Sequence, residues 1–408
     1  MTDNARVEYL RKIYKNIKQF EPMFNALTTI KWENDINQVI EESQMLKNRP
    51  LKGMPVIVKD TIYTRDLPTT AGAVEYRKFQ PDHDATVVFN IRKNGGLIIA
   101  KSNTPEFAED YQTFNDVFGV TNNPYNPDLT AGGSSGGSAA SIALGYTDMA
   151  IGSDFGGSLR VPASFCGIYS LRPTINRVEV DGHLPALEPG IIGTIGPMAS
   201  SLPVLSRLFA AMTGQSLNSP ESKSLGELRI LLSSSLDEIP IQPQITDAIL
   251  QWSNQLQDKL VLDQFNSYPG FENLHEPYIG IYRLLYGKPV SKSLSYYKEK
   301  QQTAQQQIDN LMKDYDALIL PVTSIQPYPH SFDHSDFMIA GESVNYWVAN
   351  GYYSRIASVT GNPVITLPIG RIANIPVGIQ LIGHRGKDES LLEIASTLEA
   401  STKRVMLN

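Results

Sequence analysis

The sequence contains a single cysteine, Cys166, in 408 residues. An intramolecular disulfide is therefore impossible, and a metal cluster held by several thiolates is excluded as well. The chain has no stretch of about 18 uninterrupted apolar residues, which argues against a membrane-spanning helix. Its first twenty residues carry charges throughout and lack the apolar core of a signal peptide. These absences predict a soluble protein of the cytoplasm.

Basic residues are also fewer than acidic residues in this chain. Lys and Arg number 35 against 42 Asp and Glu, which gives a formal net charge of −7 at pH 7. Nucleic acids and anionic membranes both favour a basic face, and no basic run reverses the balance locally, so neither partner is expected. Hydrophobic residues at 41% and charged residues at 19% are ordinary for a globular protein, which argues against disorder.

Two kinds of apolar periodicity alternate in the first half of the chain. Apolar residues at three- and four-residue steps predict helices over 9–20, 36–45 and 85–92. Short apolar runs predict buried strands over 55–58 and 95–100. Helices and strands that alternate in this way indicate an α/β fold with a substantially parallel sheet.

The second half is less regular but continues the same pattern. No internal repeat or linker-like change of composition divides the chain, so we predict one domain over 1–408 with a helical N-terminal portion of about 1–50. Further elements are predicted as strands over 148–153, 228–232, 317–320, 364–369 and 377–382, and as helices over 138–144 and 299–312 and around Tyr278, Tyr282 and Tyr286.

Lys59 follows the apolar run 55–58, at the point where the predicted strand ends. A lysine in this position is most often a surface charge, and this segment alone favours that interpretation. The alternative is a buried amine. An ammonium group removed from water loses hydration, its pKa falls, and the neutral amine becomes a general base.

Two segments rich in glycine and serine carry the groups that such a base would need. The first, 132–138, reads GGSSGGS and runs into a helix-compatible stretch, so its backbone N–H groups would face an approaching ligand. The second, 152–160, reads GSDFGGSLR, and its paired glycines let the main chain before Ser158 approach a substrate closely. The predicted oxyanion donors are Phe155, Gly156 and Gly157, together with the amide of Ser158 itself.

Other catalytic motifs fit less well. Gly-x-Ser-x-Gly occurs twice, centred on Ser134 and Ser135, but a nucleophile elbow needs an apolar strand directly before it, and NPDLTA precedes. Ser295 and Lys298 match Ser-x-x-Lys, a spacing that is common by chance, and no Lys-Thr-Gly follows. Ser138 stands where a phosphate-binding loop has its lysine.

Metal chemistry is not expected from the histidines. His330 and His334 are four residues apart, but the prolines at 327 and 329 argue against a helix that would bring them together. Cys166 lies within Ser-Phe-Cys-Gly and is predicted to be a small buried packing residue. No metal or other cofactor is predicted.

These segments, in this order, closely resemble the amidase signature family. The likeness is dense over about 50–215, thin over 216–310, and recovers over about 315–385. The matching stretches are 53–60 (GMPVIVKD), 84–88 (DATVV), 101–107 (KSNTPEF), 131–138 (AGGSSGGS), 152–160 (GSDFGGSLR), 196–198 (GPM) and 376–383 (PVGIQLIG).

The resemblance implies a fold and a set of roles. The fold is one domain with a central mixed, largely parallel β-sheet covered by helices on both faces, and the site is a Ser-Ser-Lys triad without a cofactor. Ser158 then corresponds to the nucleophile and Lys59 to the base. Ser134, expected after a cis peptide from Gly133, corresponds to the bridging residue, with Ser135 as its rival. The region of about 216–345, which is shorter here than is usual in the family, is expected to shape the substrate pocket.

The implied activity is hydrolysis of a small carboxamide through an acyl-serine, with a side activity on esters. One alternative is the glutaminase subunit of a tRNA-dependent amidotransferase, although no clear counterpart of its glutamine-binding arginine segment precedes 316–321. Another is a non-catalytic binding protein that retains the fold. A small amide is the only expected partner, and the oligomeric state is open, a homodimer included.

Aromatic residues of the second half have two interpretations. They would line an apolar substrate pocket, or they would belong to the core and to half-buried faces, which is the commoner situation for such side chains. The residues concerned are Tyr278, Tyr282, Tyr286, Tyr346, Trp347, Tyr352 and Tyr353.

Overall fold

A computed structural model describes residues 3–31, 35–214, 223–268 and 272–407. Its helices lie where apolar residues recur at helical spacing, and every helix predicted from the sequence is present. They are α1 (Asp3–Phe24), α2 (Ile36–Met45), α3 (Thr86–Lys93), α4 (Gly136–Ala143), α5 (Arg160–Cys166), α6 (Leu202–Thr213), α7 (Pro243–Ser253), α8 (Glu272–Leu285), α9 (Leu294–Met312), α10 (Tyr346–Thr360) and α11 (Asp388–Ser401). Within the described ranges, no helix is both long and apolar enough to cross a membrane.

The strands include all those predicted from the sequence, with ends shifted by one to three residues. They are β1 (Leu27–Ile30), β2 (Pro55–Lys59), β3 (Leu97–Ser102), β4 (Phe114–Asn115), β5 (Gly119–Val120), β6 (Asn122–Asn123), β7 (Asn126–Thr130), β8 (Met149–Asp154), β9 (Tyr169–Arg172), β10 (Thr194–Ala199), β11 (Arg229–Leu232), β12 (Val261–Gln264), β13 (Ala317–Pro321), β14 (Phe337–Ile339), β15 (Glu342–Val344), β16 (Val364–Ile372), β17 (Ile375–Ile382) and β18 (Val405–Leu407).

Twelve of these strands form one mixed sheet, which confirms the predicted single α/β domain. Their order is β1-β3-β2-β8-β10-β9-β16-β17-β13-β11-β12, with β18 beside β16. The parallel pairs form two blocks, β3-β2-β8 and β13-β11-β12, and β18 runs parallel to β16. The strands between the two blocks pair antiparallel, as does the edge strand β1.

Helices cover both faces of the sheet because the central strands are apolar on both sides. In β2, Val56 and Val58 contribute to one hydrophobic core, whereas Ile57 between them contributes to the other. Alternation of this kind follows from the two-residue period of a strand. The smaller core includes Leu10 and Ile13 of α1, so the N-terminal helix closes one face.

The segment 121–137, which is rich in Asn, Pro, Gly and Ser, contains short regular elements. It includes the antiparallel pair β6-β7, and α4 begins at Gly136, whereas the sequence predicts a helix from 138. The glycines of this segment allow neighbouring backbone to pack closely against it. A β-carbon on Gly137 would lie 2.5 Å from the carbonyl oxygen of Ala26, so only glycine fits the first turn of α4.

Candidate active site

The candidate site lies where two neighbouring parallel strands end. Lys59 is the last residue of β2, and β8 ends at Asp154. Because β2 and β8 run parallel, with Val58 opposite Ile151, their carboxyl ends meet at the same edge of the sheet. The loop that follows β8 carries Ser158 into the same region.

Lys59 is completely buried at this edge, which contradicts its interpretation as a surface charge. Its Nζ lies 2.6 Å from Ser134 Oγ and 3.0 Å from Ser153 Oγ. Burial lowers the pKa of the amine to about 7, against the opposing effect of the Asp154 carboxylate. A large fraction of Lys59 is therefore an uncharged base near neutral pH.

The two adjacent serines have different surroundings. Ser134 follows a cis peptide bond from Gly133 and is the serine that contacts Lys59. Ser135 Oγ instead donates to the backbone carbonyl of Ser153 at 3.2 Å, and its N–H donates to the carbonyl of Ser158 at 3.2 Å. Of the two, Ser134 has the contact that a bridging residue requires.

Ser158 lies on the connection from β8 to α5, and 8% of its surface is exposed. Ser158 lines a cavity next to the site, and its hydroxyl forms no hydrogen bond with any described residue, Ser134 included. The hydroxyl is thus free to meet a ligand.

The predicted oxyanion loop requires one correction. The Gly157 amide is not a free donor, because it donates to Asp154 Oδ1 at 2.9 Å. The positive φ of +124° at Gly157 turns the chain here, and a β-carbon would lie 2.7 Å from Ser354 Oγ. The amides of Phe155, Gly156 and Ser158 form no hydrogen bond within the described part of the chain, so they remain available to a ligand.

Asp154 holds this loop through buried ion pairs. Its carboxylate accepts from Arg160 Nη2 at 2.8 Å and from Arg172 Nη1 at 3.2 Å, and it also accepts from the Leu159 amide at 3.1 Å. Burial by itself would raise the pKa of Asp154, but the two guanidinium charges and these hydrogen bonds outweigh it and hold the pKa well below its usual range. The loop is therefore fixed by an ionised aspartate.

Two further polar residues next to Lys59 were not singled out from the sequence. Ser153 Oγ lies 2.9 Å from His183 Nε2, and His183 Nδ1 lies 2.7 Å from the carbonyl oxygen of Pro185. Burial lowers the pKa of His183 to about 3, so its ring is neutral. The sequence carries no signal for this contact, because His183 is a lone histidine in an irregular segment.

A cavity of about 410 Å³ opens above Ser158. The aromatic residues divide between the two interpretations given above: Tyr278, Tyr282, Tyr286 and Trp347 line the cavity. Tyr346 and Tyr353 are instead completely buried in the core, and the half-buried Tyr352 packs against that core. Other residues of the cavity wall are Glu109, Asp110, Tyr111, Phe155, Arg283, Lys288 and Arg355.

Comparison with known proteins shows the family to which this chain belongs. The profile of the Amidase family matches residues 8–260 and 276–392. The chain belongs to the amidase signature family. A Glutamyl-tRNA(Gln) amidotransferase subunit of Saccharolobus solfataricus is 29% identical to this amidase family member over an alignment of 464 residues. The alignment covers 98% of this chain and 94% of that protein.

Solved structures show the same fold. An amidase crystal structure superposes with a TM-score of 0.84 at 23% identity, covering 98% of this chain and 96% of that chain. A bacterial aryl acylamidase of the amidase signature family superposes with a TM-score of 0.80 at 20% identity, covering 98% and 94%. At these identities the likeness concerns the fold alone.

The Ser-x-x-Lys motif and the single cysteine of this family member do not line the cavity that Ser158 lines. Ser295 and Lys298 are exposed on α9. Cys166 is completely buried, as predicted, and its thiol donates to the carbonyl of Ala131 at 3.4 Å. Burial raises the pKa of this thiol, which keeps it protonated. His330 and His334 lie in irregular chain, as the neighbouring prolines predict.

Proposed function

We propose that this chain hydrolyses a small carboxamide, with Ser158 as nucleophile, Ser134 as bridging residue and Lys59 as general base. One observation carries the proposal: a completely buried lysine contacts Ser134 at 2.6 Å beneath the cavity that Ser158 lines. A lysine whose pKa is near 7 is matched to proton transfer at neutral pH.

The reaction begins with two proton transfers. Neutral Lys59 accepts the Ser134 proton while Ser134 accepts the proton of Ser158, and the Ser158 oxygen attacks the amide carbonyl carbon. The carbonyl oxygen becomes an oxyanion, which the amides of Phe155, Gly156 and Ser158 would bind. These three donors replace the set predicted from the sequence, because Gly157 donates to Asp154.

The relay then runs in reverse. The proton passes back through Ser134 to the amide nitrogen, the C–N bond breaks, and the amine or ammonia leaves. Water attacks the acyl-serine ester, gives its proton to the same relay, and releases the acid with Ser158 restored. An acyl-serine enzyme of this kind also accepts activated esters.

The cavity supports a small substrate with an apolar part. A volume of about 410 Å³ is within the usual range for small-molecule sites. Helix α8 supplies Tyr278 and Tyr282 to the wall, which supports the prediction that the region of about 216–345 shapes the pocket.

A glutaminase subunit of a tRNA-dependent amidotransferase is the second candidate, because the Saccharolobus solfataricus relative is named as part of a Glutamyl-tRNA(Gln) amidotransferase. The two candidates differ in substrate and in dependence on partners. Glutamine hydrolysis that appears only when partner subunits are added would favour the glutaminase. Hydrolysis of other amides by the chain alone would favour the small-molecule amidase.

The decisive test combines labelling with a substrate screen. Fluorophosphonate should label the folded chain at Ser158, and Ser158→Ala should abolish both labelling and hydrolysis, with a loss of about 10³-fold or more. The screen would cover primary, aryl and fatty amides together with glutamine. Failure of the probe to label Ser158 in folded protein would leave a non-catalytic binding protein instead.

A further inference from the structure

Arg355 is a buried cation in the wall of the catalytic cavity. Only 4% of its surface is exposed. It donates from Nη1 to His275 Nδ1 at 2.9 Å and from Nη2 to the carbonyl of Trp347 at 3.1 Å, and its guanidinium lies 5.0 Å from the ring centre of Tyr278. All these partners are uncharged.

No carboxylate of the described residues lies within ion-pair distance of Arg355. The acids in the same wall have other partners. Glu109 pairs with Lys288 at 3.3 Å, and Asp110 accepts from Tyr346 and from His334 Nε2, the latter at 2.6 Å. Buried charges in proteins are usually paired, so a guanidinium that has no carboxylate partner among the described residues calls for an anion from outside.

The guanidinium also has N–H donors that no described residue uses. Of its five N–H groups, two are used by His275 and Trp347, and Nε is buried without a partner. A planar carboxylate suits a guanidinium better than any neutral group does. The rings of Tyr111, Tyr278 and Trp347 line the same cavity and would hold the apolar part of such a ligand.

We propose that Arg355 binds a carboxylate of the substrate, so that the preferred substrates are amides that also carry a carboxylic acid. This inference rests on the proposed function of the same site. Two pairs of compounds test it, each an acid and its methyl ester. In N-(4-nitrophenyl)succinamic acid the carboxylate lies on the acyl side of the amide. In 4-acetamidobenzoate it lies on the amine side.

For at least one pair, the acid should be hydrolysed with a kcat/KM about tenfold or more above that of its ester. Arg355→Met should lower the value for the acid about tenfold or more and leave the ester within about threefold. Arg371→Met, which removes a guanidinium stacked 4.9 Å from Tyr125 and outside the cavity, is the control. Equal rates for acid and ester in both pairs, or an equal loss in Arg355→Met, would overturn the inference.

Binding separates this inference from the catalytic proposal. In the Ser158→Ala protein, calorimetry should show one acid binding about tenfold more tightly than its ester, whether or not either is hydrolysed. Equal affinities would reject the carboxylate site even if the enzyme is active. Tighter binding of an acid without any turnover in the unmodified protein would instead reject the proposed hydrolase function.

His183 carries a second, independent inference, which concerns the direction of the hydrogen bonds at Lys59. The carbonyl of Pro185 can only accept, so Nδ1 of the neutral ring carries the proton and Nε2 accepts. The Ser153 hydroxyl must then donate to Nε2 at 2.9 Å and can only accept from Lys59 at 3.0 Å. The lone pair of the amine is left for Ser134.

We infer that His183 is a positioning residue that keeps the lone pair of Lys59 directed at Ser134. Without the ring, Ser153 can donate to the amine and compete with Ser134. His183→Leu should therefore lower kcat/KM about tenfold and move the acid limb of its pH profile to lower pH. His183→Gln, whose amide oxygen can accept from Ser153, should restore most of the activity.

A double mutant distinguishes this role from packing. Ser153→Ala removes the hydroxyl through which His183 acts, so adding His183→Leu to it should cost little more activity. Full additivity of the two losses, or an acid limb that does not move in His183→Leu, would assign the ring to packing alone. Circular dichroism of each variant would verify the fold.

Discussion

Two buried lysines, one strand apart, differ in the groups around them. Lys101 donates to a backbone carbonyl and two threonine hydroxyls and lies 4.0 Å from the Asp60 carboxylate, whereas the partners of Lys59 are two serine hydroxyls. Burial lowers the pKa of both amines, to about 8 for Lys101 and about 7 for Lys59. The surroundings of Lys101 suit an ammonium ion, and those of Lys59 suit a base.

With Lys59 as the proposed base, its pKa sets the expected pH dependence of activity. Its pKa is about 7 in the folded protein, so the amine is neutral above that pH and protonated below it. We expect kcat/KM to fall about tenfold per pH unit below about pH 7 and to level off above it. His183 does not titrate in this range, because burial lowers its pKa to about 3. A flat profile from about pH 5 to about pH 9, in protein that stays folded, would contradict Lys59 as the base.

The neighbouring serines give a paired prediction. Ser134→Ala removes the only serine of the pair that contacts Lys59, so kcat should drop by about 10² to 10⁴. Ser135→Ala removes a hydrogen bond to the carbonyl of Ser153 and should reduce kcat by less than about tenfold. Steady-state kinetics of both variants on one amide decides the assignment, which a larger loss in Ser135→Ala would reverse.

At the scale of elements, helix α8 sets the shape of the cavity. It packs against α9 where Gly280 meets Tyr297, and a β-carbon on Gly280 would lie 2.1 Å from that ring. The same helix presents Tyr278 and Tyr282 to the cavity. The aromatic wall is therefore positioned by a contact on the side of α8 that faces away from the cavity.

Gly280→Ala tests this coupling. Overpacking should cost about 1–3 kcal/mol of unfolding free energy and push α8 away from Tyr297, so KM should rise severalfold while kcat changes less. Gly226→Ala is the matched control, because its added methyl would meet only the Lys259 carbonyl at an ordinary 3.7 Å. If Gly280→Ala destabilises the protein but leaves KM unchanged, the position of α8 does not affect substrate binding.

At the scale of the whole molecule, one buried charge network joins the site to the C-terminal half. Arg160 binds Asp154 and also donates to the carbonyl of Ser354 at 2.7 Å and to Ser358 at 2.7 Å, both on α10. Arg172 links Asp154 to the sheet through β9. The loop that bears Ser158 is thus supported by residues about 200 positions further along the chain.

Asp154→Asn should therefore weaken the whole fold. Removing the carboxylate leaves two guanidinium groups buried without their counter-ion, and we expect a loss of about 3–5 kcal/mol in urea unfolding, together with slower fluorophosphonate labelling. Lys223→Met, at the exposed pair with Asp316, should change stability by less than about 1 kcal/mol. Comparable losses in the two variants would show that the network does not stabilise the fold.

Local pattern in the sequence determined much of this protein. The alternating periodicities predict the helices and strands, because each element buries one face and the apolar residues of that face recur at a regular spacing along the sequence. The order of glycine-serine segments leads to the family, and it points to Lys59, Ser134 and Ser158 as candidates. The profile match over most of the chain confirms the family.

Only the tertiary structure decided how these residues are surrounded. It buries Lys59, gives its contact to Ser134 and not to Ser135, and commits the Gly157 amide to Asp154. It also divides the aromatic residues between core and cavity and leaves Arg355 without a carboxylate partner among the described residues. Burial and hydrogen-bond partners depend on segments that are far apart in the chain, so the local spacing of residues does not predict them.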